Sequence, residues 1–579
     1  MIRDHFRVLV VNLSSDKGQI IQLDGRNTEV GGSGLAALLF NTYGFPERPW
    51  NDPGQPVIFA IGPLTGYFPL MSKTVCSFKS PYHDQYTESH AGGRSALSLC
   101  FANLDALVIV GKSERLCCLS LSSRSLEIKD VDFMKGMGVN ESGRLFRGMS
   151  TGSGHRTIFR IGAAGENGAA MANINVDTYR HFGRLGGGAA LGAKNLKGII
   201  IHGDAVFSQP DNKEYGSLFA EVYKQVTATD MMKKYHNLGT SANLQGLNDI
   251  ESLPWRNLQA TSDPAIEKIN GQRFATDTLL RNSACSGCPV GCIHVGCVRE
   301  MFDADHRYTF KQVAYDYEMV FSLGSMLGVT DARSVLNILD VMEKAGLDAM
   351  SGGVALAWAT EATEKGLLSE KETVVKLSFG DAEAYQQATE MLGNSSNDFY
   401  RLLGQGSLKA AAEYGGAEFA CVLGQEMAGY ATGEVFFAAQ SLGFRHSHLD
   451  SGAYSYDQKH SDQDIPGVVE FLISDEAGRA FMTSMVACLF ARGVYKDDLL
   501  AECLTSVGYP EIAAGIDTTG VHIQKLRWQT RIATGFTPDG ITIPKRFFKI
   551  KTWKGPIDQG YLNGLKSEYG KAIIHLAGV

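Results

Sequence analysis

The stretch Cys285-Ser-Gly-Cys288-Pro-Val-Gly-Cys292 holds the residues of this chain whose types and spacing point most directly to chemistry. Glycine and proline between the cysteines let the backbone curl, so three thiolates can converge on one centre. Two centres suit them. A cubane 4Fe-4S cluster takes four thiolates. A tetrahedral structural zinc ordinarily draws on a second tight pair, and none exists here, although His294 and Cys297 lie close by. Pro289 directly after the second cysteine is more usual beside clusters. The spacing is the reverse of the C-x3-C-x2-C of radical enzymes. Three unligated core cysteines are the blander alternative. A fourth ligand has to come from elsewhere. Cys488 lies in an apolar run, where a cysteine is by default a core residue. It is 196 residues (488 − 292) past Cys292, so spacing alone cannot join them.

Two further places could move protons. Glu318 sits in the otherwise apolar Tyr315-Asp-Tyr-Glu318-Met-Val-Phe-Ser-Leu-Gly324. A carboxylate there is either paired or held with a raised pKa, as a proton-transfer group needs. Phe444-Arg-His446-Ser-His448-Leu-Asp450 offers two histidines beside an arginine and an acid: ligands, a relay, or a satisfied polar cluster.

Glycine clusters mark where backbone comes close to a neighbour. The chain carries 65 glycines, many in blocks, which argues for close approach over flexible linkers. Gly32-x-Gly34-x-x-Ala37 matches a dinucleotide fingerprint, but the polar lead-in and missing βαβ unit favour a helix start packed on a sheet. The paired Gly92-Gly93 leads into a helix, where amides can face an anion. Gly183 to Lys197 is not a phosphate loop: Ala193 precedes Lys194, and Asn195 replaces the hydroxyl. Arg184, Lys194 and Lys197 still suit an anionic group there, and a tight turn is the equal alternative.

The elements that position these residues read in order. Phe6 to Leu23 alternates as a hairpin around Ser14 to Gly18. Strand-like runs follow at Pro56 to Gly62, Thr74 to Phe78 and Ala106 to Gly111. From about Ser208 the period becomes helical. Asp331 can cap a helix running to Ala345, with Gly346 as its C′ residue, Leu347 its apolar partner and Asp348 the next cap. The expectation is an α+β protein: a β-rich base over residues 1–207, then two mainly helical domains over 208–417 and 418–579. A net charge of −8 excludes non-specific nucleic-acid binding. No apolar run approaches the ~18 residues of a membrane span, and eleven scattered cysteines suit a reducing cytoplasm.

Taken as an ordered set, Gly31-Gly-Ser-Gly-Leu-Ala-Ala, Gly62-Pro-Leu-Thr-Gly66, Phe78-Lys-Ser-Pro81, Gly162-Ala-Ala-Gly-Glu-Asn167, Gly192-Ala-Lys-Asn-Leu-Lys197 and the cysteine motif resemble the aldehyde ferredoxin oxidoreductase family. The resemblance runs through nearly the whole chain. It implies tungsten, or molybdenum, held by the dithiolenes of two pterins, with a 4Fe-4S cluster beside it. Cys488 is then the fourth cluster ligand with Cys285, Cys288 and Cys292. The family's D-x-x-G-L-[CD] corner is matched as Glu343-x-x-Gly346-Leu347-Asp348. Its second copy, Thr483-Ser-Met-Val-Ala487-Cys488, lacks the acid and the glycine. Lys73, His90, Gly92 and Gly93 match the place that holds a pterin phosphate and Mg2+, with the carbonyl of Phe182 or Gly183, beside Arg184, as the other metal contact. Glu318 matches the active-site glutamate and His448 the active-site histidine. Asp450 departs from the usual His-Leu-Arg trio.

The function implied is oxidation of an aldehyde, or a related carbonyl-level substrate, to the acid. Electrons pass through the cluster to a ferredoxin or an iron–sulfur partner subunit, and a homo-oligomer is compatible. A zinc-stabilised hydrolase or transferase and a non-catalytic electron-transfer subunit are the alternatives.

Overall fold

The computed structural model describes residues 3–150, 154–210, 212–302 and 305–578. Its N-terminal third is two six-stranded sheets. The first runs Lys17–Leu23, Phe6–Asn12, Ala106–Val110, Val57–Ala60, Thr74–Lys79 and Tyr86–Ala91 in spatial order. Only Phe6–Asn12 and Ala106–Val110 pair in parallel within it. The second runs Arg180–Phe182, Ile174–Val176, His155–Arg160, Leu196–Gly203, Cys117–Leu121 and Leu126–Asp130.

Strand alternation decides which neighbour each face meets. Leu9, Val11, Phe59, Leu107 and Ile109 point towards Leu119, Phe159, Ile199 and Ile201 of the second sheet. The Phe59 and Phe159 ring centroids are 4.9 Å apart. Phe6, Val8, Ile58, Ala60, Val75 and Val108 face the other way, into a core shared with the helices. The helix Gly32–Tyr43 lies on that face, where Gly34 N donates to Ser484 Oγ at 3.1 Å.

Beyond residue 203 the chain is mainly helical, with one departure from the expected pattern. A three-stranded antiparallel sheet, Leu279–Ser283, Ile293–Met301 and Tyr308–Tyr315, occupies the middle. The three cysteines lie in its first connection, between Ser283 and Ile293. The helices on either side of residue 417 share one core, in which Trp358, Phe436, Phe437 and Leu562 are buried together.

The corner at residues 343–348 forms as its residues dictate. Asp331 caps Ala332–Ala345 by accepting from Ser334 N at 2.8 Å. Gly346 closes that helix in the left-handed region, at φ 75°. Asp348 Oδ1 caps Ala349–Glu364 from Met350 N at 3.0 Å. The corner docks on the base: Asn173 N donates to Gly346 O at 2.9 Å, and Asp348 N to Met171 O at 2.8 Å.

Of the two sequence readings of this block, an anionic ligand or a tight turn, the structure favours the second for Lys194 and Lys197. Both are buried. Lys194 Nζ donates to Pro53 O at 3.0 Å. Lys197 Nζ pairs with Glu166 and donates to Met137 O. They are structural cations that satisfy carbonyls of neighbouring turns.

A Gly346→Ala variant tests the corner. Its Cβ would stand 2.7 Å from Gly162 N, on a backbone that L-residues disfavour by about 1–2 kcal/mol. The expected result is a thermal midpoint lowered by at least that equivalent, read by near-UV circular dichroism.

Candidate functional site

Four thiols meet at the seam between the base and the helices. Leu70 joins their two chain segments through its backbone. Its N–H donates to Gly287 O at 3.0 Å, and its carbonyl accepts from Cys488 N at 2.9 Å. Cys488 therefore stands beside the Cys285–Cys292 loop, half-buried, and is not the core cysteine its apolar run suggested. Cys285, Cys288 and Cys292 are half-buried too, and Cys288 and Cys292 each feel the charge of Cys488. Among the described residues, no three His, Cys, Asp or Glu side chains converge tightly enough to hold a single metal ion. A lone zinc draws sulfurs in to ~2.3 Å from one centre, whereas a cubane spaces them around a cage.

The second corner keeps its geometry without its glycine. Val486 adopts φ 53°, where Gly346 has 75°. Val486 N donates to Thr483 O at 3.2 Å and Ala487 N to Met482 O at 3.0 Å. The first corner has the same pair, Gly346 N to Glu343 O and Leu347 N to Met342 O, at 3.1 and 3.0 Å. A β-branched residue at positive φ is a genuine outlier, so surrounding contacts enforce the turn that carries Ala487 and Cys488.

Cations line the thiols. A side chain at Gly92 would fall 2.6 Å from Cys285 Sγ and 3.4 Å from Lys73 Nζ, so only glycine fits. Arg180 lies against the same spot, its Cδ 3.8 Å from that position. Burial pushes the Cys285 thiol up, but Arg180, Lys73 and the Gly93 N–H outweigh it and bring its pKa below the ordinary value. Burial raises Cys288 to about 12 and Cys292 to about 11. Holding all four as thiolates therefore calls for a positive centre among them.

Further into the seam, buried polar atoms lack partners. Arg180 Nε, Arg184 Nη1, Glu318 Oε1 and His448 Nδ1 are all of this kind. Nothing stands within 4 Å of the place a Gly183 side chain would take. Unpartnered buried donors from two arginines and an unpartnered carboxylate oxygen fit a polar anionic cofactor such as a pterin pair. The two acids of the first corner are already engaged. Glu343 Oε2 takes His181 Nε2 at 2.8 Å, and Asp348 Oδ2 takes Arg184 Nε at 3.1 Å. The His90 side chain is likewise held inside the protein, between Glu88 and Arg445, which leaves its backbone for any metal contact.

Glu318 and His448 face each other, with Oε1 and Nε2 3.4 Å apart. Asp316 caps the short helix Tyr317–Val320 that presents Glu318, and a single π-helical turn, Phe321–Ser325, follows it, a distortion frequent at functional sites. Glu318 Oε2 accepts from Gly429 N at 3.1 Å. Burial raises Glu318 to about 8, with the Gly429 N–H and Arg184 opposing and Asp316 reinforcing. Burial, with Arg184 and Arg445, lowers His448 to about 3. Burial thus favours the uncharged form of both groups. His446 is elsewhere: it is fully buried, with Nε2 2.6 Å from Arg531 Nη2.

Sequence reasoning missed Arg180, and also Tyr430, whose ring lies 5.2 Å from that of His448. Arg180 is two residues before the expected Phe182, and its position in a glycine-rich anion block was the available signal. A groove of about 400 Å³, bordered by Phe68, Phe219, Tyr223 and Ser286 to Pro289, opens beside Cys288.

A thiol quartet facing cations, with a buried carboxylate and imidazole paired further into the same seam, suits a redox metalloenzyme. The chain is a member of the aldehyde ferredoxin oxidoreductase family. The family's N-terminal domain description matches residues 8–203, and "domains 2 & 3" match residues 217–572. The tungsten-containing aldehyde ferredoxin oxidoreductase of Pyrococcus furiosus is 27% identical over 97% of this chain and 94% of its own. The aliphatic sulfonate oxidoreductase WOR-like subunit of the same organism is 26% identical, over 70% of this chain and 66% of its own. Among solved structures, the active-site complex BamBC of benzoyl coenzyme A reductase with 1,5-dienoyl-CoA has a chain of the same fold. Its TM-score is 0.81 at 19% identity, covering 98% of this chain and 95% of that one. No helix of the described residues is long and apolar enough to cross a membrane.

Two variants test the thiol site. Cys488→Ser is expected to lower bound iron clearly below the ~4 per chain of a cubane held by four thiolates. Arg180→Gln is expected to keep the iron and move the cluster's midpoint potential to more negative values, because a fixed positive charge beside it is lost. Iron assay and redox-monitored EPR read the two outcomes.

Proposed function

We propose that this protein is a tungsten- or molybdenum-pterin oxidoreductase that oxidises an aldehyde, or a related carbonyl-level substrate, to the acid. The observation that carries it is the buried Glu318–His448 pair, 3.4 Å apart, beside the unpartnered Arg184 Nη1. When bound, the metal with its two pterin dithiolenes supplies the two-electron change, and a 4Fe-4S cluster on Cys285, Cys288, Cys292 and Cys488 supplies one-electron transfer. Lys73, Arg180, Arg184 and the Gly92-Gly93 amides would hold the pterin phosphates. The carbonyls of His90 and of Phe182 or Gly183 suit a bridging Mg2+. Gly346, Leu347, Asp348 and Ala487, at the two corners, would hold the pterin rings.

The chain's own groups then handle protons. Glu318, once ionised, takes a proton from water or from the aldehyde hydrate through Oε1, the oxygen free of Gly429. His448 stays uncharged across the working pH range. With a neutral ring one nitrogen carries the proton, so Nε2–H can donate to the carbonyl oxygen while Nδ1 stays bare. Tyr430 and the fold around it keep bulk water out, which is why the carboxyl titrates so high.

Electrons leave, in this reading, at the groove beside Cys288, where a ferredoxin or an iron–sulfur subunit approaches. We place the protein in the cytoplasm, where its free cysteines stay reduced. We also keep the division at residues 207 and 417 as the domain plan. The aldehyde is preferred to other carbonyl substrates because Glu318 and His448 both match the family's positions.

A pH profile tests the base. Glu318 must be ionised to act, so aldehyde oxidation measured with a viologen acceptor is expected to rise with pH through about 8. Glu318→Gln is expected to lower kcat by at least ~100-fold and to abolish that limb. Undiminished turnover in the variant would remove Glu318 from the mechanism.

A further inference from the structure

We propose that Asp450, Arg445 and His90 form a positioning chain that fixes His448 over Glu318 and registers it against the glycine turn beside the thiols. It rests on the reading of Glu318 as the base.

The loop from Arg445 to Asp450 is closed by one carboxylate. Asp450 Oδ2 accepts from Arg445 N at 2.8 Å and from Ser447 N at 3.0 Å. Its Oδ1 accepts from Arg445 Nε at 2.7 Å. His448 stands at the apex of that small ring. Without the carboxylate, two backbone N–H groups and a guanidinium lose their common acceptor, while Gln425 Nε2 still holds Arg445 O and His446 O, at 2.8 and 3.0 Å, and Asp450 N still reaches Ser447 O at 3.1 Å.

The chain continues across the seam. Arg445 Nη1 lies 3.1 Å from His90 Nδ1. Guanidinium only donates, so Nδ1 is the bare nitrogen and Nε2–H donates to Glu88 Oε2 at 3.1 Å. Glu88 in turn receives a fork from Arg527, at 2.9 and 3.1 Å, and Ser33 Oγ at 2.8 Å. Asp450, Arg445, Glu88 and Arg527 are all buried, and two anions balance two cations. A balanced, fully bonded set is the condition under which buried charges hold one geometry. His90 is two residues before Gly92, whose missing side chain makes room for Cys285 Sγ. A shift at one end of the chain therefore moves the other.

The charged and titratable groups facing Glu318 are Asp316, Arg184, Tyr317, Tyr430 and His448. Those facing His448 are Glu318, Arg184, Arg445, Asp450, Arg479, Tyr430 and Tyr454. Neutralising Asp450 leaves Arg445 unbalanced among them, and added positive charge favours the ionised form of Glu318.

The test uses holoenzyme whose metal content equals that of the wild type. Asp450→Asn is expected to lower kcat at least tenfold with KM within twofold. Its ascending pH limb is expected to move below the wild-type position. Asp450→Asn/Arg445→Gln removes both charges, so its limb is expected to return while kcat stays at least tenfold low. Glu361→Gln is the control. It breaks another buried pair, with Arg546, and should leave kcat and the limb as they are. A limb unmoved in Asp450→Asn, or a loss of kcat that Glu361→Gln reproduces, overturns the proposal. If Asp450→Asn does not accumulate, the double variant decides: wild-type kcat overturns the chain, and a tenfold loss supports it. A wild-type profile lacking any limb instead overturns the reading of Glu318 itself.

Discussion

The thiol site depends on backbone hydrogen bonds from the β-base, in which Lys73 N donates to Val486 O at 3.1 Å and Gly93 O accepts from Ser286 N at 2.9 Å. Leu70 donates to Gly287 and accepts from Cys488, so a single residue of the β-base joins two segments about two hundred residues apart in sequence. Leu70 sits at φ 63°, and Val486, next to the Cys488 turn, at 53°. Two large residues at positive φ on either side of the thiols show where local preference yields to the fold. Such conformations cost of order 1–3 kcal/mol each and persist only where neighbours over-determine them. Here the neighbours are apolar: Leu70, Met71, Val290 and Ala487 are buried in one cluster with the half-buried cysteines against it. The strained turns are thus held by packing, and the packing is what brings the sulfurs together.

Electrostatics divides the seam into two regimes. On the thiol side the base supplies cations, Lys73 and Arg180, to a group of atoms that becomes negative when metallated. On the other side, burial favours the uncharged forms of Glu318 and His448. Arg184 stands between them. Its Nε is tied to Asp348 at the first corner while Nη1 has no partner, so the same residue fixes the corner and keeps a donor available. A corner of helices, a glycine turn and a short strand meet at that one guanidinium.

Local signals carried a good part of this from sequence. The hairpin, the Asp331-capped helix and the Gly346–Asp348 corner rest on capping and turn chemistry within a few residues, and they form as read. The cysteine spacing likewise states a metal centre without any tertiary knowledge. What was not legible depends on distant partners. Arg180 reaches the thiols only because Arg180–Phe182 sits at a sheet edge beside the Gly92 turn. The fork from Arg527 to Glu88 joins residues 439 apart. The three-stranded sheet escaped a reading based on helical period, because its strands are half exposed and irregular in pattern. Lys194 and Lys197 looked like anion ligands by composition, whereas the fold turns both inward onto carbonyls and Glu166. Family resemblance supplied the Cys488 assignment, and the backbone of Leu70 gives it a physical reason.

The central claim is that these four thiols hold an iron–sulfur cage next to a heavy-metal pterin. Elemental analysis of anaerobically purified protein, with EPR of the reduced sample, tests it most directly. The account predicts about four iron and one tungsten or molybdenum per chain, with the signal of a reduced cubane. Protein that carries zinc alone, or iron at trace level with no heavy metal, after purification from tungstate- and molybdate-supplemented cells would contradict it.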